Sequence, residues 1–178
     1  MSIPKPAAPA KLVVGLFTSR KDLFEAIAKD VTTQFGPLDV VSPWFVFDQT
    51  TYYHKEMGSP LYRRLLVFKT LIDQKALADI KCATNAVETR YTHDNRRKVN
   101  LDPGYLLSER FVLATGKNFA HRIYLDRGIY ADLTLVYQKG GFKCLPWTYP
   151  DYAHVDLRHF LELIRKKYSF DMQGNANA

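Results

Sequence analysis

The chain has 178 residues, of which 47% are hydrophobic and 24% charged, the proportions of one ordinary globular domain with its own core. Tyr 11 and Phe 11 favour strands over a helical bundle. A formal net charge of +7 permits contact with nucleic acid, acidic lipid or a phosphorylated ligand, but the basic residues (Arg63-Arg64, Arg96-Arg97-Lys98, Arg165-Lys166-Lys167) are dispersed. No nucleic-acid-binding signature accompanies them, and they read as solvated surface charge.

The opening MSIPKPAAPA has no apolar core of signal-peptide length, and residues 1–10 are expected to be a disordered leader. One α+β domain is expected over residues 11–170, with a disordered tail at 171–178. No stretch approaches a membrane span. Cys82 and Cys144 lie far apart and read as reduced, buried small hydrophobes. A cytoplasmic protein is expected.

In chain order, KLVVGLFTS predicts a buried strand over 11–17. Ser19 is placed to cap a helix, with Asp22 three residues on. Leu23, Phe24, Ile27, Val31 and Phe35 follow at helical spacing, and Gly36-Pro37 ends the helix. LDVVSPWFVFD is a second strand, broken by Pro43 and so at an edge or bulged. QTTYYHKEMGSP is a loop rich in aromatics, and YRRLLVFKTLI a third strand. Asp73 caps a helix with Leu77, Ile80, Thr84, Val87 and Tyr91 on its inward stripe. A polar segment over 92–98 closes this half. The β-α-β-β-α order resembles the start of a ferredoxin-like fold.

KVNLDPGYLL reads as a turn: Pro103 fixes its own φ and extends Asp102, and Gly104 supplies a positive φ for a type II turn. RFVLAT, HRIYL, IYADLTLVY and FKCLP then form an antiparallel meander. A three-residue loop, Asp126-Arg127-Gly128, pairs Leu125 with Ile129, Tyr124 with Tyr130, Ile123 with Ala131 and Arg122 with Asp132. Pairing Leu113 with Ile123 gathers Phe111, Leu113, Ile123, Leu125, Ile129, Leu133 and Leu135 on one apolar face. Arg122, Tyr124, Tyr130, Asp132 and Thr134 share the other, either solvated or a binding floor. A last helix spans about 155–168, with Leu157, Phe160, Leu161 and Ile164 as its stripe.

Several groups carry chemistry. Asp102 either starts a turn with a side-chain hydrogen bond or is a carboxylate held toward a ligand. Lys81, Asn85 and Glu88 fall on one helix face, solvated or lining a cleft. Arg122 opposite Asp132 is a cross-strand pair, or an anion receptor where it is shielded. Lys117, Asn118 and His121 enter the strand, with His121 at the margin of the apolar face. The chain lacks a phosphate-binding P-loop, a dinucleotide fingerprint, paired zinc-ligand motifs and a nucleophile elbow. Cys82 in mid-helix reads as inert.

FDQTTYYHKEMG, ADIKCATNAVE, VNLDPGYL, HRIYLDRGIYADLTLVY and PWTYPDY together resemble the bacterial family catalogued as domain of unknown function 4416. The resemblance runs from about Lys11 to the final helix and implies a small, stand-alone cytoplasmic protein. The positions it marks are Asp48, Tyr53, Glu56, Lys81, Thr84, Asn85, Glu88, Asn100, Asp102, Tyr105, His121, Arg122, Tyr130 and Trp147. Asp126 stands where the family often has glycine, which changes a turn.

The reading is therefore a single α+β domain, with helices on one face of the sheet. The function expected is binding of, or catalysis on, an anionic phosphate-bearing ligand such as a nucleotide or sugar phosphate. Arg122 and Lys117 hold the anion, and Glu88 or Asp102 serves as acid–base group or takes a divalent metal through oxygen, with His121 assisting. Lys81, Asn85, Asn100, Tyr105 and Asp132 complete the candidate ligand contacts. The alternative is a non-catalytic module that contacts protein or RNA through its loop aromatics.

Overall fold

The computed structural model describes residues 1–48, 51–94 and 96–176, with backbone alone for 174–176. The first two residues of the aromatic loop, Asn95 of the polar segment and the last two of the tail lie outside the described residues. In chain order the elements are β1 (Ala10–Thr18), α1 (Phe24–Phe35), β2 (Leu38–Val41), β3 (Phe45–Phe47), α2 (His54–Met57), β4 (Leu61–Ile72), α3 (Leu77–Arg90), β5 (Thr92–His93), β6 (Arg96–Arg97), β7 (Val99–Leu106), β8 (Arg110–Thr115), β9 (Arg122–Asp126), β10 (Ile129–Gln138), β11 (Gly141–Cys144) and α4 (Val155–Ala176).

The main sheet runs β11-β10-β8-β7-β1-β4-β2, with β3 beside β4 and β9 beside β10. Its ladders are all antiparallel. The β7-β1-β4-β2 part, with α1 and α3 as crossovers, is the ferredoxin-like arrangement expected from the element order. The meander and C-terminal helix then extend it, giving the α+β class.

Helices cover both faces rather than one, because β1 is apolar on both sides. Leu12, Val14 and Leu16 pack with Ile27 and Val31 of α1 and Ile80 and Val87 of α3. Val13, on the opposite side of the pleat, packs with Leu157, Leu161 and Ile164 of α4. The last helix continues to Ala176, well past residue 168. Lys11 is buried and lies 2.7 Å from Asp39 and 2.6 Å from Asp171, tying β1 to β2 and α4.

Local chemistry departs from expectation at several points. Ser19 does not cap α1: its hydroxyl donates to Met57 O, Asp22 pairs with Arg20, and a 3-10 turn at Lys21–Leu23 leads into the helix. Asp73 does cap, accepting from Lys75 N at 3.1 Å, but at the 3-10 turn Gln74–Ala76 that leads into α3 rather than at α3 itself. Pro43 parts β2 from β3, and both pair with β4. Cys82 is half-buried and Cys144 exposed, both as free thiols.

The DPG segment is strand, not turn. β7 runs through it, and Gly104 has no positive φ. Gly104 is needed for close approach instead, since a Cβ there would strike the Val112 carbonyl and the Leu113 side chain of β8. The hairpin register Tyr124–Tyr130, Ile123–Ala131, Arg122–Asp132 is present. Its turn has two residues rather than three, Arg127 and Gly128, both at positive φ; Ile129 pairs with Asp126 rather than Leu125, and Leu125 is the extra residue of a bulge on β9 that restores the expected register from Tyr124 on. The expected pairing of β8 with β9 is absent. β8 takes the inner edge of β10, with Leu113 opposite Asp132, and leaves Ile123 and Leu125 exposed on the outer strand.

Gly104→Ala should therefore lose about 1–3 kcal/mol, since backbone cannot step aside as a side chain can. Gly116→Ala, where a Cβ meets nothing within 4 Å, should leave stability unchanged. Urea unfolding of the two variants checks the contrast.

Candidate functional site

β7 leaves β8 early. The two strands pair only over Gly104–Leu106 and Phe111–Leu113. The next outward-facing residue toward the start of β7 is Pro103, which has no N–H to offer a partner strand. Beyond it, Leu101 also turns its peptide groups outward, and two side chains of α3 meet them. Leu101 N donates to Glu88 Oε1 at 2.8 Å, and Lys81 Nζ donates to Leu101 O at 2.8 Å. Lys81 and Glu88 thus stand in for the missing strand. The two are also 3.7 Å apart, and Lys81 lies 3.8 Å from Asp102 Oδ1.

On the other side of Asp102 lies Arg63, only 4% exposed. Its Nη2 donates to Asp102 Oδ2 at 3.5 Å, its Nη1 to the Tyr152 hydroxyl at 2.9 Å, and its Nε sits 2.7 Å from Asp151 Oδ2. Its guanidinium also lies over the rings of Phe17, Phe47 and Tyr152. Gly15 beneath leaves the room: a Cβ there would lie 2.7 Å from the Tyr152 hydroxyl and 2.9 Å from Arg63 Nη1. Burial opposes the guanidinium's charge, but Asp151, Tyr152 and Asp102 outweigh it and hold its pKa above the ordinary value.

The chain of charges continues past Glu88. Arg97 Nη1 donates to Glu88 Oε2 and to Asn100 Oδ1, both at 3.0 Å, and Arg97 Nε donates to Glu56 Oε1 at 2.6 Å. Asp151, Arg63, Asp102, Lys81, Glu88, Arg97 and Glu56 thus form one row of alternating sign. Burial lifts the pKa of Glu88, against the pull of Lys81 and the Leu101 N–H. It lifts that of Asp151 likewise, against Arg63.

A second group lies on the same face of the sheet. Asp132 is fully buried and accepts from Arg122 Nε at 2.9 Å, with His121 Nε2 3.2 Å away. Arg122 donates further to Lys117 O at 2.8 Å and to the Tyr149 hydroxyl at 2.5 Å. His121 stacks on Trp147, whose Nε1 donates to Leu133 O. Tyr149 lies between the groups. Burial pushes its hydroxyl up to about 12; Arg122 opposes this, while Asp132 and Asp102 add to it.

The structure therefore brings together Asp102, Lys81, Glu88 and Asn100, with Arg122, Asp132 and His121 as a neighbouring set. Asn85 is exposed and outside both groups, and Tyr105 is buried in the core on the opposite face from Asp102. His121 sits with Asp132, not at the margin of the apolar face. The Lys117 ammonium lies 5.2 Å from the Tyr52 ring, so only its carbonyl meets Arg122. Thr84 bonds back to Lys81 O, and Tyr130 packs edge-on against Tyr124. Asp48 lines a cleft of about 320 Å³ beside Arg63, Asp151, His154 and Asp156. Among the described residues, no three His, Cys, Asp or Glu side chains gather to hold a metal ion, and no helix is long and apolar enough to cross a membrane.

Sequence reasoning missed Arg63, Arg97, Tyr149, Asp151 and Tyr152, and placed the two arginines on a solvated surface. A signal for Arg63 was present: Leu61, Arg63, Leu65 and Val67 alternate onto one face of β4, and all four are buried. Arg165 and Lys167 are engaged too, with Ser108 O and with Asp39 and Asp171.

An antiparallel α+β domain with a partly buried row of alternating charges is the class that fold and site define. The family model described as domain of unknown function (DUF4416) matches residues 8–168, and the chain belongs to that family. No curated protein and no solved structure matches it.

Tyr149 and Tyr91 should both titrate late. Burial raises Tyr91 to about 12 as well, helped by its hydrogen bond to Asp30. In the unfolded chain both ionise near the ordinary value, about 10. Their contribution to stability is thus complete below about 10 and lost as pH rises through about 12. Absorbance at the tyrosinate band should show this late class, and Tyr149→Phe should shrink it.

Proposed function

We propose that the face of the sheet carrying Asp102 binds a small nucleotide or sugar phosphate. One observation carries the reading. The Asp102 carboxylate is fixed between Arg63 and Lys81, yet its side chain remains 28% exposed. A carboxylate held in this way accepts a pair of ligand hydroxyls without reorganising. Lys117 supplies an exposed cation for the phosphate, and the half-exposed Trp147, stacked on His121, adds an aromatic ring. Arg122 contributes by holding the Lys117 loop through that residue's carbonyl, since its side chain is only 9% exposed and each of its three nitrogens already donates once.

The reading covers an enzyme as well as a binding protein. Asp102 is the group placed to take a proton, because both oxygens of Glu88 are occupied by Leu101 N and Arg97. The cleft beside Arg63 suits an anion less well, with Asp48, Asp151 and Asp156 against one guanidinium. The same proposal keeps the protein in the bacterial cytoplasm, where Cys82 and Cys144 stay reduced.

A thermal-shift screen with nucleotides, sugar phosphates, free ribose and inorganic phosphate tests this. A ligand at one hundred times its Kd should raise Tm by about 5 °C or more. Asp102→Asn should remove the response to hydroxyl-bearing ligands, and Lys117→Ala should weaken binding of phosphorylated ones. No response at millimolar ligand, or a response indifferent to both substitutions, would overturn the reading.

A further inference from the structure

The main sheet protects its edges unequally. Where β7 loses its neighbour, Glu88 and Lys81 satisfy Leu101. On β11 the same device recurs: Phe142 N donates to Glu162 Oε1 at 3.2 Å, and Arg158 Nη1 donates to Phe142 O at 3.1 Å. In each case a helix lends an acid to the N–H and a base to the carbonyl. β9 has no such cover. It pairs with β10 alone, and among the described residues no helix or loop bonds its outer edge beyond Arg122 N, which donates to Phe119 O. Ile123 is 69% exposed, Tyr124 57% and Leu125 36%, with Phe119 beside them at 64%. A bare strand edge with exposed apolar side chains is a template for another strand.

We propose that the occupant is β9 of a second copy of this chain, paired antiparallel about a two-fold axis at Tyr124. The apolar centre of the strand, Ile123-Tyr124-Leu125, is complementary to itself in that register. Ile123 falls opposite Leu125 of the other copy and Tyr124 opposite Tyr124, so apolar meets apolar, while Arg122 stays turned to Asp132 and the bulge beyond Tyr124 takes Asp126 out of the register. A shift by one residue sets Ile123 opposite Tyr124 and Arg122 opposite Leu125, mixing the faces. The contact is isologous and closes at two copies. It joins two sheets into one across a short interface, which makes a reversible dimer. Asp102 and Lys81 lie outside this edge, and Arg122, which holds the Lys117 loop, is the residue the two readings share; the substitutions at 123, 124 and 125 leave it in place.

Sedimentation velocity from micromolar to millimolar protein tests it. The wild-type chain should move from monomer to dimer. Ile123→Lys with Leu125→Lys should raise the dimer dissociation constant at least about tenfold, with an unchanged far-ultraviolet circular dichroism spectrum. In a Cys82→Ser, Cys144→Ser background, Tyr124→Cys should form a disulfide-linked dimer on mild oxidation, because the axis places residue 124 opposite its own copy. Val155→Cys, exposed at the start of α4, should not. A wild-type chain that stays monomeric throughout, a dimer indifferent to the lysines, or cross-linking at 124 no greater than at 155 would each overturn the proposal.

Discussion

Leu101 presents an N–H and a carbonyl toward a strand that has already departed. Left buried and unmet, each group would cost about 1–3 kcal/mol. Glu88 and Lys81 of α3 meet them, at 2.8 Å each. Both side chains carry charge into a buried place, and neither is tolerable there alone. Their mutual pairing, Arg97 beyond Glu88 and Asp102 beyond Lys81 spread the charge along a row. The row extends to Arg63 and Asp151, so a local shortage of backbone partners at Pro103 organises polar groups across the middle of the sheet.

The placement of Asp102 follows from this constraint. As part of β7 its peptide is fixed against Gly15 of β1, and two cations from different elements fix its carboxylate. Arg63 reaches it across the sheet because Gly15 leaves β1 bare beneath the guanidinium. The tyrosines around it, Tyr53 and Tyr149, have hydroxyls whose pKa is raised by burial first and by the nearby carboxylate as well. The ligand reading leans on this preorganisation. The dimer reading leans on the opposite property of β9, an edge to which no helix lends an acid and a base.

Much of the fold was legible in the sequence. The apolar run of β1, the helical spacing of α1 and α3 and the Arg122–Asp132 register are local patterns, and local patterns survive folding. β7 was not legible, because a proline and a glycine in succession argue for a turn. Only the departure of β8 explains why a proline is tolerated there. The strand order near β10 was hidden for a related reason: chain neighbours β8 and β9 pair with the same strand from opposite sides. Of the site, Lys81, Glu88 and Asp102 were visible from spacing and resemblance, while Asn85 of the same row is exposed and apart. Arg63 was hidden by reading its charge instead of its alternation with Leu61, Leu65 and Val67, and Asp151 and Tyr152 lie in a loop with no periodicity to read.

The capping of Leu101 is tested most directly by a double-mutant cycle on Lys81→Met and Glu88→Met, followed by urea unfolding. Each single substitution strands a buried charge and an unmet peptide group, and should cost about 3–5 kcal/mol. The double substitution should cost less than the sum by about 1.5 kcal/mol or more, since the two side chains act on one peptide and on each other. Losses below about 1 kcal/mol each, adding within about 0.5 kcal/mol, would contradict the view that this pair completes the sheet.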